Sequence, residues 1–391
     1  MPFISMSPAR ATLTAPSPGN LRNAIPALGL FIAIRVTCVS VLLVWSAFAD
    51  RSAHTLLAGR WDSLWYVRVA EFGYGFSLQA PDGRGLSSMA FFPLLPWLEE
   101  GISFLTPLSP ADSGLVVSAL ASVLAAWGMF AVAAQFYGRR TGIILVGLWA
   151  ALPVGIVQSM AYSESLFVAL AAWALYAVLN GRWVLAGSLA CLAGLTRPVG
   201  LAVSLALMVT AVLAATRLRR LLPDIHHRPE RMVLGCVIAP LGAAAYILWV
   251  GRQNGDPLGY LDVQAAWGNG FDGGIAFSRF VSTGVTGSPA LWGIIWPAII
   301  ALAVWPHWIG LKQRQPPPLL VYSAAVTVLA IGAAGYFASK PRLLLPAFPL
   351  LLPLAIVLAR CRSVVVVTVL VVATAVAALY GAFWLHGSGP P

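Results

Sequence analysis

Arg60-Trp61-Asp62-Ser63-Leu64-Trp65-Tyr66-Val67-Arg68-Val69-Ala70-Glu71-Phe72-Gly73-Tyr74 gathers charges and aromatic rings directly after the first long apolar run. Read as a helix, it aligns Trp61, Trp65, Val69 and Phe72 in one apolar stripe, with Asp62 beside it and Tyr66 one turn on. Arg60, Arg68 and Glu71 take the other side. Such a helix suits a bilayer surface, where amphipathic rings sit at headgroup depth. Asp62 is then either a carboxylate paired with a neighbouring arginine or the chemical centre of a site at the water–lipid boundary.

The surrounding chain decides what kind of protein holds this stretch. Of 391 residues, 59% are hydrophobic and 9% charged, and the mean hydropathy of +0.84 lies outside the range of soluble globular proteins. The net charge of +11 is spread between apolar segments instead of forming one basic face, which argues against nucleic acid as a partner. Cys38, Cys191, Cys236 and Cys361 show no CxxC or metal-ligand spacing, so neither a disulfide framework nor a metal site is expected. There is no HExxH, no Walker loop and no cofactor motif.

A spanning helix needs about 20 mostly apolar residues, fewer where it is buried among others, and about eleven segments qualify. They run from Ile25 to Ala49, Leu115 to Phe136, Thr141 to Val157, Ser165 to Leu179, Trp183 to Leu195 and Val199 to Ala215. The remainder are Met232 to Val250, Ala290 to Ile309, Leu319 to Phe337, Leu343 to Ala359 and Val364 to Leu385. The expected architecture is an all-α polytopic membrane protein. Residues 1–24 form a disordered leader, 25–385 a single transmembrane domain, and 386–391 a short external tail. Fourteen of the 24 cations, but only two of the 13 acids, fall in loops on one side. By the positive-inside rule that side is cytoplasmic, as is the N-terminus; the odd span count leaves the C-terminus outside. Two long external segments, 50–114 and 251–289, carry short aromatic-bearing pieces, amphipathic helices among them.

With eleven acids outside, chemistry is expected on the external face. Lys340 and Arg342 break the charge trend at a helix boundary; they are either snorkelling side chains or a cradle for a lipid phosphate. Arg197, in Leu195-Thr196-Arg197-Pro198, lies at another external boundary. Glu164 is either a helix N-terminal acid or a binding residue. Arg35, mid-helix, must be paired or hydrated.

Trp61-Asp62 with its Ala70-Glu71-Phe72-Gly73-Tyr74 tail, Phe91-Phe92-Pro93-Leu94, Tyr162-Ser163-Glu164-Ser165-Leu166-Phe167, Thr196-Arg197-Pro198 and Pro341-Arg342-Leu343-Leu344-Leu345-Pro346 together resemble the PIG-V-type mannosyltransferases of the GT-C superfamily. The family usually reads His-Trp-Asp where this chain has Arg60-Trp61-Asp62. The resemblance implies a multi-pass plasma-membrane enzyme of a GT-C-like fold. It would take mannose from a polyprenyl-phosphate donor and pass it, with inversion, to a glycolipid or cell-envelope glycan on the external face, without a cofactor. Asp62 would be the general base, and Arg342, Lys340 and Arg197 would receive the charge of the departing phosphate. Trp61, Tyr66, Glu164 and Glu71 would contact donor or acceptor. The composition, rich in Ala, Arg and Pro, looks bacterial. A transporter or flippase of a lipid-linked sugar, or a non-catalytic subunit of a glycosylation complex, is the competing expectation.

Overall fold

A computed structural model of the chain describes residues 19–80, 83–216, 220–222, 228–284, 304–387 and 389. Apolar runs between polar caps fold almost entirely into helices. Among the described residues five are long and apolar enough to cross a bilayer: α1 (Leu21–Phe48), α5 (Pro110–Tyr137), α9 (Leu201–Ala215 with the preceding 3₁₀ turn), α10 with α11 (Pro229–Ile238, Leu241–Asn254) and α18 (Ser363–His386). Shorter apolar helices are α7 (Glu164–Leu179), α8 (Trp183–Gly194), α15 (Pro317–Gly332) and the run Phe348–Arg360, which ends in α17 (Leu352–Arg360). The expected span Ala290 to Ile309 lies largely outside the described residues, which resume in the helix through 304–312 (α14).

Helix ends shift from the hydropathy boundaries because caps, not apolarity, set them. Asn20 accepts the Arg22 amide at 3.0 Å, so α1 begins before Ile25 and residues 21–24 belong to it rather than to a leader. Ser109 and Pro110 supply an N-cap and a first helical residue for α5, ending the segment expected over 50–114 at Ser109 instead. Gly255, left-handed, closes α11 after Asn254, past the expected end at Val250.

The expected span Thr141 to Val157 is broken. After α6 (Arg139–Ala150) the chain turns by 87° into a 3₁₀ segment at Pro153–Ser159. Arg35, buried in the middle of α1, holds the break: its Nη1 donates to Ala150 O at 3.1 Å, and its Nε and Nη2 donate to Ser159 Oγ at 3.2 and 3.1 Å. The cation therefore caps the C-terminus of α6 inside the bundle.

Helix α5 lies at the centre, with 61% of its most apolar window buried, against 33% for α1 and 28% for α18 at the periphery. It packs on α4 (Leu94–Leu105), α6 and α7. Against α8, α10 comes so close that a Cβ on Gly187 would lie 2.3 Å from Gly235 O. Outside the bundle, α2 (Ala53–Ala58), α3 (Asp62–Phe72), a small antiparallel hairpin of β1 (Ser77–Gln79) and β2 (Gly85–Ser87), and α4 build the first of the two long segments between apolar helices. The second contributes α12 (Gly259–Ala266) and α13 (Ile275–Gly284).

Candidate active site

Trp61 sits just before α3 at φ 52° and ψ −124°, a strained conformation for a bulky residue that costs about 1–3 kcal/mol. It turns the chain sharply, so that Asp62 becomes the first residue of α3. The turn is locked on both sides. Ser63 Oγ donates to Arg60 O at 2.6 Å, and the Arg60 guanidinium lies 4.0 Å from the centre of the Trp61 ring. That guanidinium also donates to Leu385 O at 2.8 Å and Gly387 O at 3.1 Å, capping α18. Arg60 thus ties the Trp-Asp turn to the last helix.

The stripe expected on α3 is only half buried. Trp65 and Val69 turn inward, as does Tyr66, but Phe72 is 78% exposed. The inward face packs on an aromatic layer. Trp65 stacks on Phe91 at 5.5 Å and meets Trp267 edge-on at 4.8 Å, while Tyr66 is edge-on to Phe91 at 5.2 Å. The Phe91-Phe92 pair therefore works by packing; Tyr74 and Tyr246 both donate to Phe91 O, at 2.8 and 2.7 Å.

Four charged side chains from distant parts of the chain converge beside this layer. Arg342, in the short helix α16 (Lys340–Leu344), donates through Nη2 to Asp62 Oδ2 and through Nε to Glu164 Oε1. Arg197 pairs with the same Glu164 oxygen. Glu164 and Arg342 are buried, Arg197 nearly so, and Asp62, with 28% of its side chain exposed, is the member that reaches furthest towards solvent. Two acids and two arginines balance, which is what makes so buried a set tolerable. Burial alone would pull the Arg342 guanidinium down, but Asp62 and Glu164 outweigh it and hold it well above its ordinary value.

Tyr66 donates to, or accepts from, Ser163 Oγ at 2.8 Å, and Arg197 Nη1 reaches the same hydroxyl at 3.5 Å. Burial raises the Tyr66 phenol, so it acts as a neutral hydrogen-bonding group. Arg342 lies 4.4 Å above the centre of the Tyr162 ring. Tyr162 and Ser163 were not singled out in the sequence, though they flank Glu164 in the motif that was; what marks them is a shared wall, visible only in three dimensions. The amide of Leu94 donates to Leu195 O at 3.0 Å, joining the Phe91-Phe92-Pro93-Leu94 run to the Thr196-Arg197 turn.

Two expected members stand apart. Lys340 is buried, but its ammonium donates to Ala330 O at 2.7 Å and to Ala333 O, the carbonyls at the end of α15, with the Phe277 and Phe337 rings 5.7 and 5.6 Å away. It is a helix cap, paired with neither acid of the cluster. Glu71 is exposed near the end of α3. Nine residues beyond Asp62, it falls on the opposite face of the helix, about 13 Å further along the axis. Among the described residues no group of three or more His, Cys, Asp or Glu side chains is placed to hold a metal ion.

No family model and no curated protein sequence matches the chain. Solved structures do. The structure of ArnT from Cupriavidus metallidurans bound to undecaprenyl phosphate aligns over 85% of this chain and 60% of its own, with a TM-score of 0.52 and 16% identity. This is a GT-C fold. The Archaeoglobus fulgidus oligosaccharyltransferase in its apo form aligns over 92% of this chain and 55% of its own, with a TM-score of 0.50 and 14% identity. The chain thus spans a little over half the length of the GT-C proteins it resembles and shares their membrane-embedded helical architecture.

Proposed function

We propose that the chain is an inverting glycosyltransferase that takes a sugar, mannose on the PIG-V-type resemblance, from a polyprenyl-phosphate donor and delivers it to a glycolipid or envelope glycan. The observation that carries this reading is the pairing of partly exposed Asp62 with buried Arg342, backed by Glu164 and Arg197. A carboxylate open to solvent with cations immediately behind it supports the reading.

The chemistry needs one base and one charge acceptor. Arg342 holds Oδ2 of Asp62, so that Oδ1 takes the proton of the acceptor hydroxyl as the hydroxyl oxygen attacks C1 of the sugar. The bond from C1 to the phosphate oxygen breaks on the opposite face, and its electron pair leaves with the phosphate. Phosphate is already a good leaving group, so the paired carboxylic acids of glycoside hydrolysis are not required. Arg342 and Arg197 stabilise the departing anion electrostatically, and Tyr66 and Ser163 offer hydrogen bonds to hydroxyls. Glu164 keeps both arginines in place. The site belongs on the external face of a bacterial plasma membrane, where lipid-linked sugars are used without nucleotides.

The test compares the native chain with Asp62→Asn in proteoliposomes given polyprenyl phosphate [14C]mannose and a crude acceptor-lipid pool. Loss of about 10²–10⁴-fold in labelled product, at unchanged folded yield, is expected for removal of a general base. Equal transfer by both proteins would remove Asp62 from the role. Transbilayer movement of the donor without product would replace the enzyme by a flippase.

A further inference from the structure

The end of the molecule remote from Asp62 holds a second charged feature, independent of the proposed transfer. Helix α5 carries the chain across the bundle to Arg139, and α18 begins at that same end before running back to His386 beside Arg60. Between the first turns of α6 and α18 lies a groove of about 390 Å³. Arg139 and Arg140 stand at its head; Ile143, Val366 and Val367 line its walls. One turn further along α6, Leu30 and Leu370 pack against Gly147 so closely that a Cβ there would lie 2.9 and 3.1 Å from them.

The charge around this groove has one sign. Arg140 Nη2 donates to Cys361 O at 2.7 Å, fastening α6 to the turn that carries exposed Arg360 and Arg362. Among the described residues the acid expected on this side is Glu230, on α10, which packs against α8 and α9 instead. Several guanidiniums around an apolar slot match an anion attached to a hydrocarbon chain: the head pairs with the arginines and the first methylenes lie against the walls. A free anion would leave those walls exposed.

We propose that this groove binds an anionic phospholipid of the adjacent leaflet, its phosphate at Arg139 and Arg140 and its acyl chain along Ile143 and Val366. The lipid braces α6 against α18 at the end where no external segment joins them.

The experiment uses the full chain in nanodiscs doped with phosphatidylglycerol or phosphatidylcholine, each carrying a diazirine high on one acyl chain, with adducts mapped by peptide mass spectrometry. Phosphatidylglycerol adducts are expected on the first two turns of α6 and α18, exceeding those of phosphatidylcholine by on the order of tenfold, since each basic residue near a surface contributes appreciably to anionic-lipid binding. The double variant Arg139→Gln/Arg140→Gln removes that preference, and Val367→Trp, which fills the slot while leaving every arginine, removes the adducts themselves. Equal labelling by the two lipids, adducts spread evenly over other helices, or an unchanged pattern in Val367→Trp would overturn the proposal. So would loss of the adducts on adding millimolar inorganic phosphate, which would identify a free-anion site.

Discussion

Arg342 has to satisfy two carboxylates at once, and only a planar, forked guanidinium does so. Lysine at this position offers a compact point charge that reaches one of them. Arg342→Lys is therefore expected to keep the fold but lower kcat/KM for sugar transfer by roughly 10²–10³, the cost of one misplaced electrostatic donor. Arg342→Gln leaves the Asp62 and Glu164 charges undercompensated and should also destabilise by about 3–5 kcal/mol, read as a lower apparent Tm in detergent. A variant that lost stability but retained turnover per folded molecule would reduce Arg342 to a structural ion-pair partner. Asp62 and Arg342 were legible in the sequence as unusual charges next to aromatic or proline residues. Their partnership was not, because 280 positions separate them along the chain. Lys340 shows the converse. Two residues from Arg342, it had the same sequence signature, but backbone geometry turns it onto the end of α15.

At the level of elements, α4 carries an unused acid. Glu99 is fully buried, neither carboxyl oxygen has a hydrogen-bond partner among the described residues, and Gly114 of α5 leaves it room, since a Cβ there would lie 2.4 Å from Oε1. Burial raises its pKa well above the usual carboxylate range, so it is packed as the neutral acid. The stability it allows is fully present below the unfolded-state value of about 4.3 and is lost as pH rises through the folded-state value, because only the unfolded chain ionises in between. Relative to Glu99→Gln, the native protein should lose up to about 1.4 kcal/mol per pH unit across that window. Thermal melts of the two proteins should coincide near pH 4 and separate by pH 7.5; melts that stay parallel at every pH would mean that Glu99 is ionised in the fold. The α8–α10 crossing offers a steric counterpart. Gly187→Ala drives a methyl into Gly235 O and should cost about 1–3 kcal/mol of stability, whereas Gly29→Ala, where the added Cβ meets nothing within 4 Å, should be neutral by the same melt. Apolar run length identified these helices without indicating which glycines face a neighbouring backbone, since an exposed and a packed glycine are the same letter.

For the molecule as a whole, the asymmetry of charge predicts which end is outside. Glu71 is exposed at the Asp62 end and Lys312 is exposed among the residues assigned to the opposite face. In a background lacking the four native cysteines, Glu71→Cys should react with a membrane-impermeant maleimide in intact cells, and Lys312→Cys only after permeabilisation. The reverse pattern would invert the topology and place the proposed chemistry inside. That the chain is a helical membrane protein followed from composition alone: long apolar runs have no other solution in a bilayer than to satisfy their backbone internally. The positions of most helices followed from the same runs. Tertiary structure alone decided where α6 breaks, that Phe72 and Glu71 stay out of the site, and that Asp62, Glu164, Arg197 and Arg342 meet as one neutral cluster. Hydropathy is a local sum and survives in one dimension. Charge pairing across the bundle depends on helix rotation and on caps such as those made by Arg35 and Arg60, and these are settled only when the helices pack.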